Sequence, residues 1–279
     1  MNAMTLFDIE PRQIGIIAAK EFRDRIRNRW VLAVTAVFTA FALVIAYFGA
    51  AQQGAVGFRS IEVTIASLVS LVIYLVPLIA LILGFDAIVG ERERGSLDLL
   101  LSMPLTRFEL LLGKFLGLSA ALACSTVAGF GLVGLLLASK LPPQAWYHYA
   151  GFIVSSVLLG MAFLSLAVTV SVFASDRTRA SGSAIGLWFF FVLVYDLLLL
   201  GALVASGGGV AADAFPYLLL LNPADVFRIL NIFGLDEVRT LYGLTTVFPQ
   251  QLASPGVLGS VMLAWIALPL GLATWRFRQ

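Results

Sequence analysis

Six stretches of about 20 or more mostly apolar residues, at roughly 30–49, 61–85, 111–139, 149–174, 183–205 and 256–275, constrain this 279-residue chain more than any other feature. A run of that length crosses the hydrocarbon core of a bilayer as a helix. Only helices and closed barrels pair all of their backbone groups there. The expected fold is an all-α integral membrane protein with six transmembrane helices in a single transmembrane domain over residues 1–279. Composition agrees: 60% of residues are hydrophobic and 12% charged, and the mean hydropathy of +0.97 lies far outside the range of soluble domains.

Basic residues orient such a chain, because those near span ends are retained in the cytoplasm. Of the 18 Lys and Arg residues, only Arg59, Lys140, Arg228 and Arg239 fall on one side of the six spans, and the other 14 fall on the opposite side. Both termini are therefore expected in the cytoplasm, with the chain in a bacterial inner membrane. The opening "MNAMTLFDIEPRQ" has acids and no basic run before an apolar core, so no cleavable signal peptide is expected. Between residues 11 and 29, Ile14, Ala18, Phe22 and Ile26 recur every four positions, with Lys20, Arg23, Asp24 and Arg27 elsewhere around the helix. This pattern predicts an amphipathic helix on the inner membrane surface, ending at Trp30, and serving either as an anchor or as a docking element.

Several functional classes are excluded. One Cys and one His leave no disulfide framework and no ordinary zinc or copper site. A path for Cu(I) calls for soft ligands in ladders, and the spans offer only Cys124, Met161 and Met262. The net charge of +2, spread among several loops, does not suit nucleic acid. An intramembrane protease needs a Ser with a His or two facing Asp residues, whereas His148 is read as lying in a loop and Asp196 stands alone in its span. Cys124 and the glycines Gly129, Gly131 and Gly134 are read as packing, and the GxxxG spacing of "GKFLG", 113–117, as a site of close helix approach.

Within this apolar chain, "GERERGSLDLLLSMPLTR", 90–107, carries six charged side chains. Glu91, Arg92, Glu93 and Arg94 must sit at or beyond the headgroups, since burying them in hydrocarbon is costly. After Gly95, Ser96 is positioned to cap a short helix with Asp98 in its first turn, and Pro104 ends it. Thr106 and Glu109 form a capping box that starts the third span. Periodicity alone leaves open a solvated loop or a rigid helix presented to a partner.

The stretch "ERERGSLDLLLSMPLTRFELLLGK", 91–114, resembles the signature of ABC-2-type permeases, and "KEFRDRIRNRW", 20–30, is similar to the start of that family. The resemblance covers essentially the whole chain. It implies that residues 91–104 form a coupling helix that docks into a separate ATPase, with Leu97, Leu100, Leu101 and Met103 as its apolar contact and the four charges before Gly95 orienting it. It also implies two ATPase subunits and a second copy of this chain. No GxxxxGK[ST] phosphate-binding loop occurs here, so ATP and Mg are expected on the partner chain and no cofactor on this one. The segments "LFDIEPRQI", "LSMPLTR" and "LLLLNPADVFRIL" look like the membrane subunits of transporters that mature periplasmic nitrous oxide reductase. That resemblance implies a role in assembling copper sites, a periplasmic β-helical partner and a copper chaperone. A generic exporter of lipid, drug or polysaccharide and a non-transporting membrane anchor are the competing readings.

Two further regions carry candidate residues. Asp196, next to Tyr195 in the fifth span, is an ionisable group at a costly depth. It is read either as part of a transport path or dimer interface, or as a carboxyl bonded to a neighbouring helix. Asp86 is a weaker candidate at the inner interface. The long external loop, 206–254, holds "NPADVFRILNIFG", in which Asn222 caps a helix, Pro223 occupies its first position and Gly234 marks its stop. That helix is expected on the outer membrane surface or under the periplasmic partner, with Asn222, Asp225, Phe227, Arg228 and Phe233 as docking candidates. "LDEVRTLYG" is a candidate second helix of the loop.

Overall fold

A computed structural model describes residues 10–48, 61–137, 143–205, 210–232, 252 and 254–278. Among these residues the chain is helical, with no strand, and six helical stretches are long and apolar enough to cross a membrane. The all-helical, six-span architecture expected from the sequence is the one observed.

Helix α1 (Pro11–Arg27) ends at Asn28 and Arg29, and Arg29 adopts a left-handed backbone (φ 56°) that turns the chain into the first span, α2 (Trp30–Phe48). The second span is α3 (Ile61–Gly84), continued through a turn into the short α4 (Val89–Glu93). After α5 (Ser96–Leu101) come the third span, α6 (Arg107–Leu137), and the fourth, α7 (Pro143–Phe173). His148, expected in a loop, lies inside α7 because that helix begins before the apolar run does. The fifth span is α8 (Arg177–Phe189), a π-helical segment (Phe190–Val194) and α9 (Tyr195–Ala205). Helices α10 (Val210–Leu219) and α11 (Pro223–Ile232) precede the sixth span, α12 (Pro255–Arg278).

The core lies among α3, α6, α7 and α12, with the fourth span at its centre. Apolar side chains cannot drive helices together in lipid as they do in water, so polar contacts between helices carry part of the association. Pro269 inside α12 lacks the N–H that would bond the carbonyl of Trp265. Ser165 Oγ of α7 donates to that carbonyl at 3.0 Å, and Thr169 Oγ1 donates to the carbonyl of Pro269 at 2.8 Å. A break in one helix is thereby mended by the next. Aromatic rings run through the core from Phe38 to Phe130 (5.2 Å between centroids), on to Phe152 (5.3 Å), and from there to Phe227 of α11 (6.2 Å).

The first half of the apolar stripe of α1 packs on protein, and its last member, Ile26, is exposed. Ile14 and Glu21 are buried and Ile17 packs against the core, while Ile16 and Ile26 are exposed. The cause is α6. A Cβ on Gly113 would stand 2.7 Å from Ile17 Cβ, and one on Gly117 would stand 2.5 Å from the carbonyl oxygen of Ala18. The GxxxG pair thus admits α1 to near backbone contact with the third span. The start of α1 and the end of α12 meet the start of α6: the Glu10 amide donates to Glu109 Oε1 at 2.7 Å, and Arg107 donates to the carbonyl of Phe277 at 2.7 Å. The described ends of the chain therefore share one face of the bundle.

Candidate functional site

On the face that carries the termini, the segment between α3 and α6 forms two short helices instead of the single helix expected over 91–104. The break falls at Gly95, whose φ of +68° is a conformation that side-chain-bearing residues rarely adopt. Ser96 does not cap α5, because Gly95 holds the N-cap position in a left-handed conformation. The Ser96 hydroxyl instead turns back to the Glu91 carboxylate and to the Glu91 carbonyl. The capping box after it is present in both directions: Glu109 N–H donates to Thr106 Oγ1 at 3.2 Å, and Thr106 N–H donates to Glu109 Oε2 at 2.7 Å.

The four charges before Gly95 are engaged within the chain. Arg92 donates to the carbonyls of Ala174 (2.8 Å) and Val172 (3.3 Å) at the end of α7. Glu93 accepts from the backbone N–H of Arg177 at 2.8 Å, at the start of α8, where a negative charge suits the helix dipole. Arg177 also pairs with Asp86 at 2.6 Å, so Asp86 belongs to this joint. Ser171 Oγ accepts from the N–H groups of both Ile88 and Val89 (2.9 and 3.0 Å) and so caps α4 from the fourth span. Glu91 lies within 3.6 Å of Arg94 and accepts from Lys114 of the third span at 3.1 Å. Lys114 also donates to Glu21 of α1 at 2.8 Å.

The apolar side chains of α5 split differently from the expected set. Leu97 is buried in the core, and Leu100 and Leu101 are half-buried against it. Leu99 (65% exposed) and Met103 (49% exposed) project outward, with Asp98 and Pro104 also at the surface. The expected set follows from residue type, which does not tell the inward face of a six-residue helix from the outward one.

The opposite face holds a second polar cluster, and α11 is built into it. Asn222 Oδ1 accepts from the N–H of Ala224 at 3.0 Å, the cap that the sequence predicts, but the helix does not lie on a surface. Residues Asn222, Asp225, Val226 and Phe227 are buried against α3, α7 and α12. Asn222, Asp225 and Phe227, expected as docking residues for a partner, thus pack inside this chain, because α11 has three span surfaces to fill. Phe233, Gly234 and the candidate helix "LDEVRTLYG" lie outside the described residues. The Asn222 Nδ2 group donates to the carbonyl of Phe191, inside the π-helical segment, at 2.9 Å and to Asp225 Oδ2 at 2.9 Å. Arg228 bridges two carboxylates, Asp225 at 2.5 Å and Asp196 at 3.0 Å. Asp196 is therefore not alone. Tyr195 donates to the carbonyl of Leu218 at 2.7 Å, and Trp265 Nε1 to that of Leu220 at 3.1 Å, so spans five and six hold the α10–α11 turn. Burial pushes the Asp225 carboxyl up to about 7 despite the opposing pull of Arg228. Burial also depresses Arg228, but Asp225 and Asp196 more than offset that and raise it.

Sequence reasoning missed Lys114, Glu21 and the π-helical segment. For Lys114 a signal exists, a lone cation two turns inside a spanning helix. The π-helical segment has none in its all-apolar residues, and Glu21 is hidden among the charges around it.

The chain belongs to the ABC-2 family transporter proteins, whose description matches residues 16–279. It is 45% identical over 270 residues to a protein of Pseudomonas aeruginosa described as "Probable ABC transporter permease protein NosY", with 95% of this chain and 98% of that protein covered. A protein of Stutzerimonas stutzeri with the same description is 43% identical over 271 residues, covering 96% and 98%. The six spans are thus those of an ABC transporter permease, and its ATPase is a separate chain.

Proposed function

We propose that this permease works in assembling the copper sites of periplasmic nitrous oxide reductase, driven by two copies of a cytoplasmic ATPase that binds ATP and Mg. Similarity along nearly the full length to two permeases described as NosY supports this setting. A second copy of this chain completes the transporter. Both termini are cytoplasmic, in keeping with the 14 basic residues on that side. A periplasmic β-helical protein and a copper chaperone act with it. The complex either exports a sulfur-containing species or drives a mechanical change in the periplasmic partner.

The observation that carries the coupling role is the projection of Leu99 and Met103 from α5 and the turn after it, while the neighbouring charges are tied to α6, α7 and α8. A docking knob needs exposed apolar side chains on a fixed mount, and this segment provides both. The test is a detergent pull-down of wild type beside Leu99→Asp, with mass spectrometry of the retained proteins. Wild type retains an ATPase, and Leu99→Asp loses it, since an unpaired charge in an apolar contact is strongly unfavourable. Retention of the ATPase by Leu99→Asp overturns this docking surface. Absence of any ATPase from the wild-type sample overturns the transporter reading and favours a membrane anchor.

A further inference from the structure

Lys114 is a cation where a spanning helix should have none. It lies seven residues past the start of α6, about 10 Å along the axis, and its side chain is 4% exposed. A buried ammonium persists only with charged or hydrogen-bonding partners. Its two partners come from different parts of the chain. Glu21 Oε1 at 2.8 Å belongs to α1, and Glu91 Oε1 at 3.1 Å belongs to α4. Around this centre, Lys20 lies 3.6 Å from Glu21 and Arg94 lies 3.6 Å from Glu91, so neither carboxylate depends on Lys114 alone.

The neighbouring packing is equally tight. Gly113 and Gly117, on either side of Lys114 in sequence, let α1 lie against the third span so closely that a methyl group at either position meets α1 atoms within 3 Å. Glu109, one turn earlier, accepts the first amide of α1 through Glu10 and caps its own helix at Thr106. Ser96, the first residue of α5, turns to the same Glu91 carboxylate that Lys114 holds. Three elements distant in sequence are thus joined at one ammonium, and two of them, α1 and α4–α5, leave the membrane core on the face that carries the termini.

We infer that Lys114 is the positioning residue for the coupling step: it fastens α1 and the α4–α5 segment to the third span, so that the three move as one body when the ATPase acts on α5. This rests on the docking role proposed above for Leu99 and Met103. Lysine suits the task. Its three N–H donors can hold two carboxylates that arrive from different directions, and its long stem crosses apolar surroundings without cost to the spans. The displacement of α5 is delivered to α6 directly through this contact.

The test measures a distance by electron paramagnetic resonance in the complex with its ATPase. Spin labels are placed at Ser102, exposed at the end of α5 and outside the proposed knob, and at Leu116, exposed on α6, in a chain whose one cysteine is changed by Cys124→Ser. The complex is compared without nucleotide and in a vanadate-trapped ATP state. The label-to-label distance in the otherwise wild-type chain stays the same in both states, while Lys114→Met makes it state-dependent or broad, and Lys114→Arg restores a single distance. A wild-type distance that shifts between the two states overturns the inference, and this arm needs no charge variant to fold. An unchanged distance in Lys114→Met also overturns it, because the fastening then lies elsewhere. Failure of the underlying docking reading shows itself separately, as absence of the ATPase from the labelled wild-type complex.

Discussion

On each face of the bundle one cation bridges two carboxylates, and the two faces use the arrangement differently. At the face with the termini, Lys114 is sealed from solvent and joins three elements, α1, α4 and α6. At the opposite face, Arg228 is 36% exposed and joins α11 to the fifth span, taking one of its two acids from its own helix. The compact ammonium sits among partners that converge from several directions, whereas the planar guanidinium forks toward two acids at once. The dry cluster binds elements together, and its cost falls on any variant that leaves a charge unpaired. The half-exposed cluster joins fewer elements, and its cation keeps one acid on its own helix, so it sets the position of α11 at a smaller cost. What separates a structural joint from an adjustable one here is burial and the number of elements joined, three at Lys114 and two at Arg228.

The largest effect that separates the two clusters is expected from Lys114→Met. It leaves Glu21 and Glu91 in a dry site with only their longer contacts to Lys20 and Arg94, and breaking a buried pair costs about 3–5 kcal/mol. Thermal unfolding in detergent and the yield of folded protein measure it. A loss below about 1 kcal/mol would erase the contrast. The next effect is a pH dependence at the opposite face. The Asp225 carboxyl stands at about 7 in the folded protein against an ordinary 3.8. A folded-state value above the unfolded one means that the stabilising contribution is full below about 4 and lost as pH rises through about 7. Wild-type stability should therefore decline across that window, by no more than about 1.4 kcal/mol per pH unit, and Asp225→Asn should flatten the decline. A slope that survives in Asp225→Asn places the titrating group elsewhere.

Arg228→Lys keeps the charge but loses the fork, and a loss of about 1–2 kcal/mol is expected from the hydrogen bond to a charged partner that it gives up. Differential scanning fluorimetry of the purified variant measures this, and equal stability would show that the bridge to two acids is unnecessary. The smallest effect belongs to Asp196→Asn. Arg228 keeps Asp225 as a partner when this acid is neutralised, so the expected loss is under about 1 kcal/mol. The same fluorimetric measurement checks it, and a larger loss would give the Arg228 cluster the character of the Lys114 joint.

The sequence displays the parts of this molecule that rest on local rules. The six apolar runs, the Thr106–Glu109 box and the Asn222–Pro223 helix start are all short-range patterns, and each has its counterpart in the structure. The parts that depend on which surface a helix meets are not displayed. Lipid and protein interior are equally apolar, so periodicity does not distinguish α11 buried among three spans from α11 lying on a membrane. The same ambiguity placed Leu97 in the apolar contact of α5, although it faces the core, while Leu99 faces outward. Asp196 read as solitary because its partner Arg228 lies 32 residues away.

The π-helical segment of the fifth span, Phe190–Val194, is equivalent to an α-helix carrying one residue more than its hydrogen-bond pattern needs. Every residue after it is therefore turned back by about 100° and set back by about 1.5 Å relative to the same chain in an uninterrupted helix. Tyr195 meets Leu218 and Asp196 meets Arg228 at the phase this extra residue sets. Deleting one residue from 190–194 would therefore let the span close into a regular helix whose second half still faces α10 and α11, whereas deleting one residue just beyond Val194 would turn the rest of that half away from them by about 100°. The π turn is slack in the span, the place where its length can change without altering what the far end touches.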